Sequence, residues 1–226
     1  MRWRSLPLLL ALSVLFGCEE DSKKPSLAPA QRSQAIQGPA ATVTGITTTA
    51  AATASAPAAT SAKPRKALCG GVLEREGKSV PKKALGRRSA AGEPELSADP
   101  SFTGGFTWVN FWAAWCVPCK EEIPRLMDFQ KRLTAAGKSF RVMFVSLDDD
   151  ERQLQKFMAE QPAGGLRQTY WLREGNEREE WLIGAGVDPD PDLPAHLLVD
   201  SKGKVRCKVR GAIEDADYDG LLALLP

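Results

Sequence analysis

Apolar residues in the second half of the chain follow the two spacings that distinguish strands from helices. Nearly continuous apolar runs at 106–113 and 140–147 are typical of central strands covered on both faces. Between them, apolar residues recur at helical spacing and predict an amphipathic helix from near Cys119 to near Gly137. A strand, a helix and a second strand in this order predict a parallel crossover.

The pattern continues with three further helices and three shorter strands. In chain order they are a helix after the acidic group Asp148 to Glu151, a short strand at 168–172, a weak helix at Arg178 to Ile183, two strands at His196 to Val199 and Val205 to Val209 that form a hairpin, and a final helix at Asp215 to Leu225. The acidic group supplies an N-cap and favourable charge in the first helical turn. The order β-α-β-α-β-β-α, with further material before it, predicts an α/β fold with a mixed central sheet flanked by helices.

The N-terminal end has the features of an export signal. A basic start is followed by an apolar run from Leu6 to Phe16 and then by Cys18. The run is shorter than the ~20 residues that a membrane-spanning helix needs. The stretch "LFGC" resembles the lipobox of bacterial lipoproteins, which implies that residues 1–17 are a lipoprotein signal peptide and that lipid on Cys18 tethers the chain to a membrane. Ordinary secretion, with Cys18 removed, is the alternative.

Composition divides the rest of the chain into a linker and a folded part. Residues 18–66 are rich in Ala, Thr, Ser and Pro and have almost no large apolar side chain. Such a segment cannot build a core, so we predict a disordered stalk followed by one folded domain over residues 67–226. The formal net charge is +2, without a block of like charges, and gives no indication of a nucleic-acid partner.

Two cysteines lie close together in "FWAAWCVPCKEEIP", residues 111–124. Zinc sites use the same spacing but need a second pair of ligands, and the chain has no second such pair and only one histidine. Cys116 follows a predicted strand and opens a predicted helix, where backbone N–H groups and the helix dipole stabilise a thiolate. A thiolate is the species that attacks a disulfide, and Cys119, one turn later, is placed to resolve the resulting mixed disulfide.

The same stretch resembles the active site of the thioredoxin superfamily, in particular its exported TlpA-like and ResA-like thiol-disulfide reductases. The resemblance covers about residues 100–226 and includes "LPAHLLVD" as the counterpart of the family's cis-proline strand. It implies a thioredoxin-like fold, Cys116 as the nucleophile, Cys119 as the resolving thiol and Pro194 as the cis-proline. It implies neither a cofactor nor a metal. Val117 departs from the glycine of cytoplasmic thioredoxins, so the strength of the protein as a reductant does not carry over.

Two more residues have roles that only the resemblance implies. Glu122 matches the glutamate of the family pattern, a carboxylate that handles protons near the thiols, and its alternative is a solvated helix residue. Trp115 next to the nucleophile is expected to shield the dithiol, and its alternative is hydrophobic filler. His196 is interpreted as a packed histidine and is left out of the site.

The leading hypothesis is a membrane-tethered thiol-disulfide oxidoreductase of the cell envelope or periplasm that reduces disulfides in exported proteins, with apocytochrome c cysteines as one candidate substrate. Because the chain shows no nucleotide fingerprint, its electrons would come by thiol exchange from a membrane electron donor. The alternatives are an oxidant that forms disulfides, a thioredoxin-fold copper carrier and a redox-inert binding module on a stalk.

Two predictions remain outside the active site. Cys69 and Cys207 are left after lipidation and catalysis are assigned, and in an oxidising compartment we expect them to form a structural bridge, with two free thiols as the alternative. The segment "GVDPDPDLP", residues 186–194, carries three aspartates before the cis-proline. It is expected to border the active site as an acidic lip that favours basic substrates, or else to be an exposed turn in which aspartate and proline serve only loop geometry.

Overall fold

The computed structural model describes residues 67–226, which form a mixed sheet with helices on both faces. The predicted signal peptide, lipidation site and linker lie outside the described residues. The strands are β1 (Gly86–Ser89), β2 (Phe106–Trp112), β3 (Phe140–Ser146), β4 (Gln168–Trp171), β5 (Ala195–Val199) and β6 (Val205–Arg210). The helices are α1 (Val117–Ala135), α2 (Glu151–Glu160), α3 (Asn176–Ala185) and α4 (Tyr218–Leu224), with short 3-10 helices at Leu68–Gly71 and Asp215–Asp217.

The sheet has the strand order β1-β4-β3-β2-β5-β6. The central pairs β2–β3 and β3–β4 are parallel, whereas β1–β4, β2–β5 and β5–β6 are antiparallel. The parallel pair β2–β3 is joined by α1, as the crossover predicted. The site therefore rests on β2, which lies inside the sheet and is paired along both edges.

Alternation along β2 separates two hydrophobic cores. Trp108 and Trp112 face the core that contains the apolar side of α1, together with residues of α2 and α4. Val109 and Phe111 face the opposite core, which contains α3. All four side chains are fully buried, which explains why β2 reads as a continuous apolar run rather than as an alternating one.

The predicted α/β class is confirmed, and the element order needs two corrections. The short strand β4 and the helix α3 are both regular, so the order after residue 100 is β-α-β-α-β-α-β-β-α rather than β-α-β-α-β-β-α. The edge strand β1 was not predicted, because "GRRS" has no apolar alternation and is held by its antiparallel pairing with β4. Asp150 is the N-cap of α2, as expected of the acidic group, and its side chain accepts a hydrogen bond from the Arg152 N–H.

A disulfide joins the first described segment to the last hairpin. Cys69 and Cys207, the pair for which a bridge was expected, are bonded with an S–S distance of 1.98 Å and a Cα–Cα distance of 5.4 Å. Cys207 lies in β6 and is buried, while Cys69 lies in the first 3-10 helix with φ of 57°. The bridge thus fixes a segment that has little secondary structure of its own to the sheet.

Candidate active site

The dithiol lies where β2 ends and α1 begins. Cys116 is the N-cap residue of α1, and its sulfur accepts a hydrogen bond of 3.3 Å from the backbone N–H of Cys119. Pro118 occupies the first turn, where a missing N–H costs no helical hydrogen bond. In this structure the two cysteines form a disulfide with a Cα–Cα distance of 5.3 Å. After reduction, the same N–H group and the helix N-terminus favour the thiolate of Cys116.

The residues on either side of Cys116 form an exposed apolar rim. Trp115 is 55% exposed and Val117 is 58% exposed, although both are large hydrophobic side chains. Cys116 itself is only 4% exposed, and Cys119 is fully buried. The interpretation of Trp115 as hydrophobic filler is therefore wrong, because its side chain lies at the surface beside the dithiol. An apolar rim around a reactive sulfur is suited to binding the backbone and side chains of another protein.

Pro194 lies at the same end of the sheet as the dithiol. The peptide bond between Leu193 and Pro194 is cis. The next residue, Ala195, pairs with Phe111 near the end of β2, and the dithiol loop leaves β2 at that end. The carbonyl oxygen of Pro194 accepts a hydrogen bond from the Gly211 N–H, which links the segment to the end of β6.

Glu122 is a buried carboxylate on the first turns of α1. Its side chain is fully buried, which contradicts the alternative of a solvated helix residue. The Asn110 side-chain amide donates to Oε1 at 2.7 Å, and the Ile213 backbone N–H donates to Oε2 at 2.8 Å. Burial nevertheless dominates and raises the pKa of Glu122 to about 7. Because Cys119 and Glu122 are three residues apart on one helix, they share a face, and the carboxylate is suited to exchange a proton with the buried thiol.

His196 belongs to this buried cluster, although the sequence interpretation left it out of the site. It is the residue of β5 that pairs with Asn110, and its Nε2 lies 3.6 Å from Oε2 of Glu122. Trp108 donates to its Nδ1 at 3.0 Å, and Asn110 lies 3.2 Å from the same nitrogen. Burial lowers the pKa of His196 to about 3, so the ring is neutral at physiological pH. A polar residue at an inward position of β5 was the only available sequence signal.

Asp148 is a second buried carboxylate that sequence analysis placed elsewhere. It was assigned to the acidic group at the start of α2, but its side chain turns inward and is fully buried. Both of its oxygens accept the Ala114 backbone N–H at 3.0 Å, and Ser146 donates to Oδ2 at 2.8 Å. Burial raises the pKa of Asp148. These hydrogen bonds fix the loop between β2 and the dithiol to the end of β3.

The acidic segment before Pro194 is exposed. Asp188, Asp190 and Asp192 are all exposed, and the Asp188 carboxylate accepts the Asp190 N–H at 3.1 Å, a hydrogen bond that serves the geometry of the turn. The three aspartates line a small cavity of about 80 Å³ together with Lys208 and Arg210, so the acidic charge faces basic charge from β6. Selection of basic substrates by this segment stays a prediction.

Comparison with known proteins gives a family for part of the chain. Residues 104–205, which span β2 to the start of β6, match the family model described as thioredoxin-like. This part of the chain is thioredoxin-like. It contains Cys116, Cys119, Glu122 and Pro194, the residues for which the resemblance predicts active-site roles.

Several curated relatives carry names that refer to thiol-disulfide chemistry. The chain is 27% identical over 152 residues to a thiol:disulfide interchange protein DsbE homolog of Paracoccus denitrificans, with 67% of this chain and 74% of that protein covered. It is 28% identical over 145 residues to the thiol:disulfide interchange protein HelX of Rhodobacter capsulatus, with 61% and 74% covered. It is 29% identical over 122 residues to the thiol-disulfide oxidoreductase ResA of Bacillus anthracis, with 53% and 62% covered.

A solved structure with similarity to the chain is that of a DsbE-type thiol:disulfide interchange protein from Chlorobium tepidum. The sequence identity is 27%, the TM-score is 0.47, and the match covers 65% of this chain and 92% of the other. Within residues 67–226, His, Cys, Asp and Glu side chains do not come together in a group of three that could hold a metal ion. No helix in that part of the chain is both long and apolar enough to cross a membrane.

Proposed function

We propose that this protein is a lipid-anchored thiol-disulfide oxidoreductase of the cell envelope that reduces disulfides in exported proteins. Its class, thioredoxin-like protein-disulfide oxidoreductase, is that of the DsbE, HelX and ResA relatives. The observation that carries the proposal is the dithiol itself. Cys116 caps a helix and receives a backbone N–H, while a buried carboxylate lies one turn beyond Cys119.

The proposed reaction is a two-step thiol-disulfide exchange. In the first step the Cys116 thiolate attacks one sulfur of a substrate disulfide, a mixed disulfide forms, and one substrate thiolate leaves. In the second step Glu122 accepts the proton of the Cys119 thiol, and the resulting thiolate attacks the Cys116 sulfur, which forms the Cys116–Cys119 disulfide and releases the second substrate thiolate. Two electrons pass to the substrate, and its two thiolates take up protons from water. A membrane thiol-disulfide donor then reduces the disulfide again.

Substrate binding is proposed at the exposed rim formed by Trp115 and Val117 and along the segment at Pro194. The rim supplies apolar contact area, and an extended substrate backbone is suited to lie beside the residues at the end of β5. Disulfides of exported proteins, including apocytochrome c cysteines, are the proposed substrate class. No ligand other than another protein's sulfur is needed for this chemistry.

The test is the reduction potential of the Cys116–Cys119 couple, measured by equilibration with glutathione or dithiothreitol buffers. We expect a reducing value, closer to the roughly −270 mV of thioredoxin than to the potential of a strong oxidant. A value near the about −120 mV of a strong oxidant would contradict the reductase and favour the oxidant instead. The same measurement on the double variant Cys69→Ala/Cys207→Ala shows that the potential belongs to the Cys116–Cys119 couple, because that variant lacks the other bridge.

The anchor is proposed from the sequence, where "LFGC" ends the apolar run and places Cys18 at the cleavage point. Metabolic labelling with a fatty acid is expected to label the wild-type chain and not Cys18→Ala, because the thiol of Cys18 is the attachment point. Equal labelling of both chains, or of neither, would contradict the lipid anchor.

A further inference from the structure

The hydrogen bonds around His196 determine which of its ring nitrogens carries the proton. Its Nδ1 lies 3.0 Å from the indole Nε1 of Trp108, and an indole N–H can only donate. Nδ1 must therefore accept, and the proton of the neutral ring lies on Nε2. This assignment agrees with the second contact of the ring, because Nε2 lies 3.2 Å from the carbonyl oxygen of Gly211, which can only accept.

The same reasoning determines the orientation of the Asn110 amide. Its nitrogen lies 2.7 Å from Oε1 of Glu122 and 3.2 Å from Nδ1 of His196, and both of these atoms are acceptors. A reversed amide would place Oδ1 against a carboxylate oxygen and against a ring lone pair. Oδ1 of Asn110 is buried and has no hydrogen-bond partner within residues 67–226, so the contacts of the amide nitrogen alone determine the orientation.

We infer that His196 is a positioning residue, which through Nδ1 holds the nitrogen of Asn110 toward Glu122 and so keeps the carboxylate ready to accept a proton. The inference rests on the proposed function, in which Glu122 accepts the proton of Cys119. Without the acceptor on His196, the Asn110 nitrogen is held only by Oε1 of Glu122, and the amide can reverse once that carboxylate is protonated. A protonated Glu122 could then donate to Oδ1 of Asn110, which would stabilise the neutral carboxyl group over the carboxylate.

The other groups that face Glu122 do not depend on His196. The Ile213 N–H donates to Oε2 from the segment after β6, and Arg125 on α1 favours the carboxylate by its charge. Arg125 is itself paired with Asp215 at 3.0 Å and with Glu214 at 3.9 Å. These contacts are the same in any His196 variant, whereas His196 Nε2, 3.6 Å from Oε2 of Glu122, is lost in all of them. A difference in the titration of Glu122 between a variant that keeps an acceptor at the Nδ1 position and one that does not therefore reports on the Asn110 route.

Two nearly isosteric substitutions test the inference. In His196→Asn, the side-chain oxygen can occupy the position of Nδ1 and still accept from Trp108 and Asn110, whereas His196→Leu has the same shape and no acceptor. The readout is the titration of the Glu122 carboxyl group by infrared difference spectroscopy in the oxidised protein, assigned with Glu122→Gln. We expect the midpoint to move up by about one pH unit in His196→Leu and to stay near the wild-type value in His196→Asn.

The outcomes separate this inference from the proposed function, because the oxidised protein is measured without a substrate and a loss of activity does not affect the titration. Unchanged midpoints in both variants, or equal shifts in both, would overturn the route through Nδ1. If His196→Leu does not fold, a measurement on the wild-type protein still tests the inference. Long-range ¹⁵N NMR of the wild type is expected to show the Nε2–H tautomer of His196 from pH 5 to 9, and an Nδ1–H tautomer would overturn the inference.

Discussion

Glu122→Gln should make the protein more stable at alkaline pH, because Glu122 is buried in a form that resists ionisation. Burial raises the pKa of Glu122 from its ordinary 4.5 to about 7. Between these two values the folded protein binds a proton that the unfolded chain has already released. Stability therefore falls as pH rises through this window, and the full penalty is present above pH 7.

The size of the penalty follows from the two pKa values. A difference of about 2.5 pH units corresponds to about 3 kcal/mol at most. Glutamine has nearly the same shape as protonated glutamate and does not titrate, so the stability of the Glu122→Gln variant lacks this dependence on pH. Between pH 5 and pH 8.5 the difference in unfolding free energy between Glu122→Gln and wild type should change by about 2.5 kcal/mol in favour of the variant.

The assay is urea unfolding followed by tryptophan fluorescence across this pH range. It uses the oxidised protein, in which Cys116 and Cys119 are bonded and do not titrate. Glu121→Gln is the matched control, since it makes the same change at the exposed neighbour on the same helix and leaves Glu122 in place. Parallel stability curves for wild type and Glu122→Gln would refute the reasoning, because Glu122 would then be ionised as easily in the folded protein as in the unfolded chain.

Three further substitutions test other parts of the structure. Cys119→Ala should accumulate mixed disulfides between Cys116 and substrate proteins on non-reducing gels, because the resolving thiol is gone; trapping by Cys116→Ala instead would reverse the two roles. Asp148→Ala should lower the free energy of unfolding in urea by about 2–4 kcal/mol, because buried N–H and hydroxyl donors lose their acceptor, and a loss under about 0.5 kcal/mol would contradict this. Cys69→Ala/Cys207→Ala should lower it by about 5 kcal/mol in the chain-entropy model for a separation of 138 residues, and a loss under about 1 kcal/mol would show that the bridge does not stabilise the fold.

The elements around the dithiol could be predicted because their signals are local. The apolar runs of β2 and β3 and the helical spacing of α1 are local patterns of mostly buried residues, and the cysteines occupy the junction between strand and helix. Strand β1 carried no such signal. Its residue Gly86 is needed for close packing, since a Cβ there would lie 2.7 Å from the carbonyl oxygen of Trp171, and this contact depends on a partner far along the chain.

The buried polar cluster could be predicted only in part. Glu122 was found through its place in the motif, but its burial and its hydrogen bond to Asn110 depend on the packing of α1 against the sheet. His196 contacts Trp108 across 88 residues, so no local pattern connects the two. Asp148 was misplaced for the same reason. An aspartate in an acidic run is expected to be exposed, and only the folded structure shows that the Ala114 N–H, in the loop before the dithiol, donates to its carboxylate.

The bridge between Cys69 and Cys207 also determines how the protein bears mechanical tension. A pull applied between the chain ahead of Cys69 and the C-terminal end passes from Cys69 through the sulfur–sulfur bond to Cys207. The 70–206 segment is closed into a covalent ring outside that path, and it contains β1 to β5, α1 to α3 and the dithiol. Traction on the two ends can therefore stretch the last strand and helix, but it cannot extend the part of the chain that carries the redox chemistry.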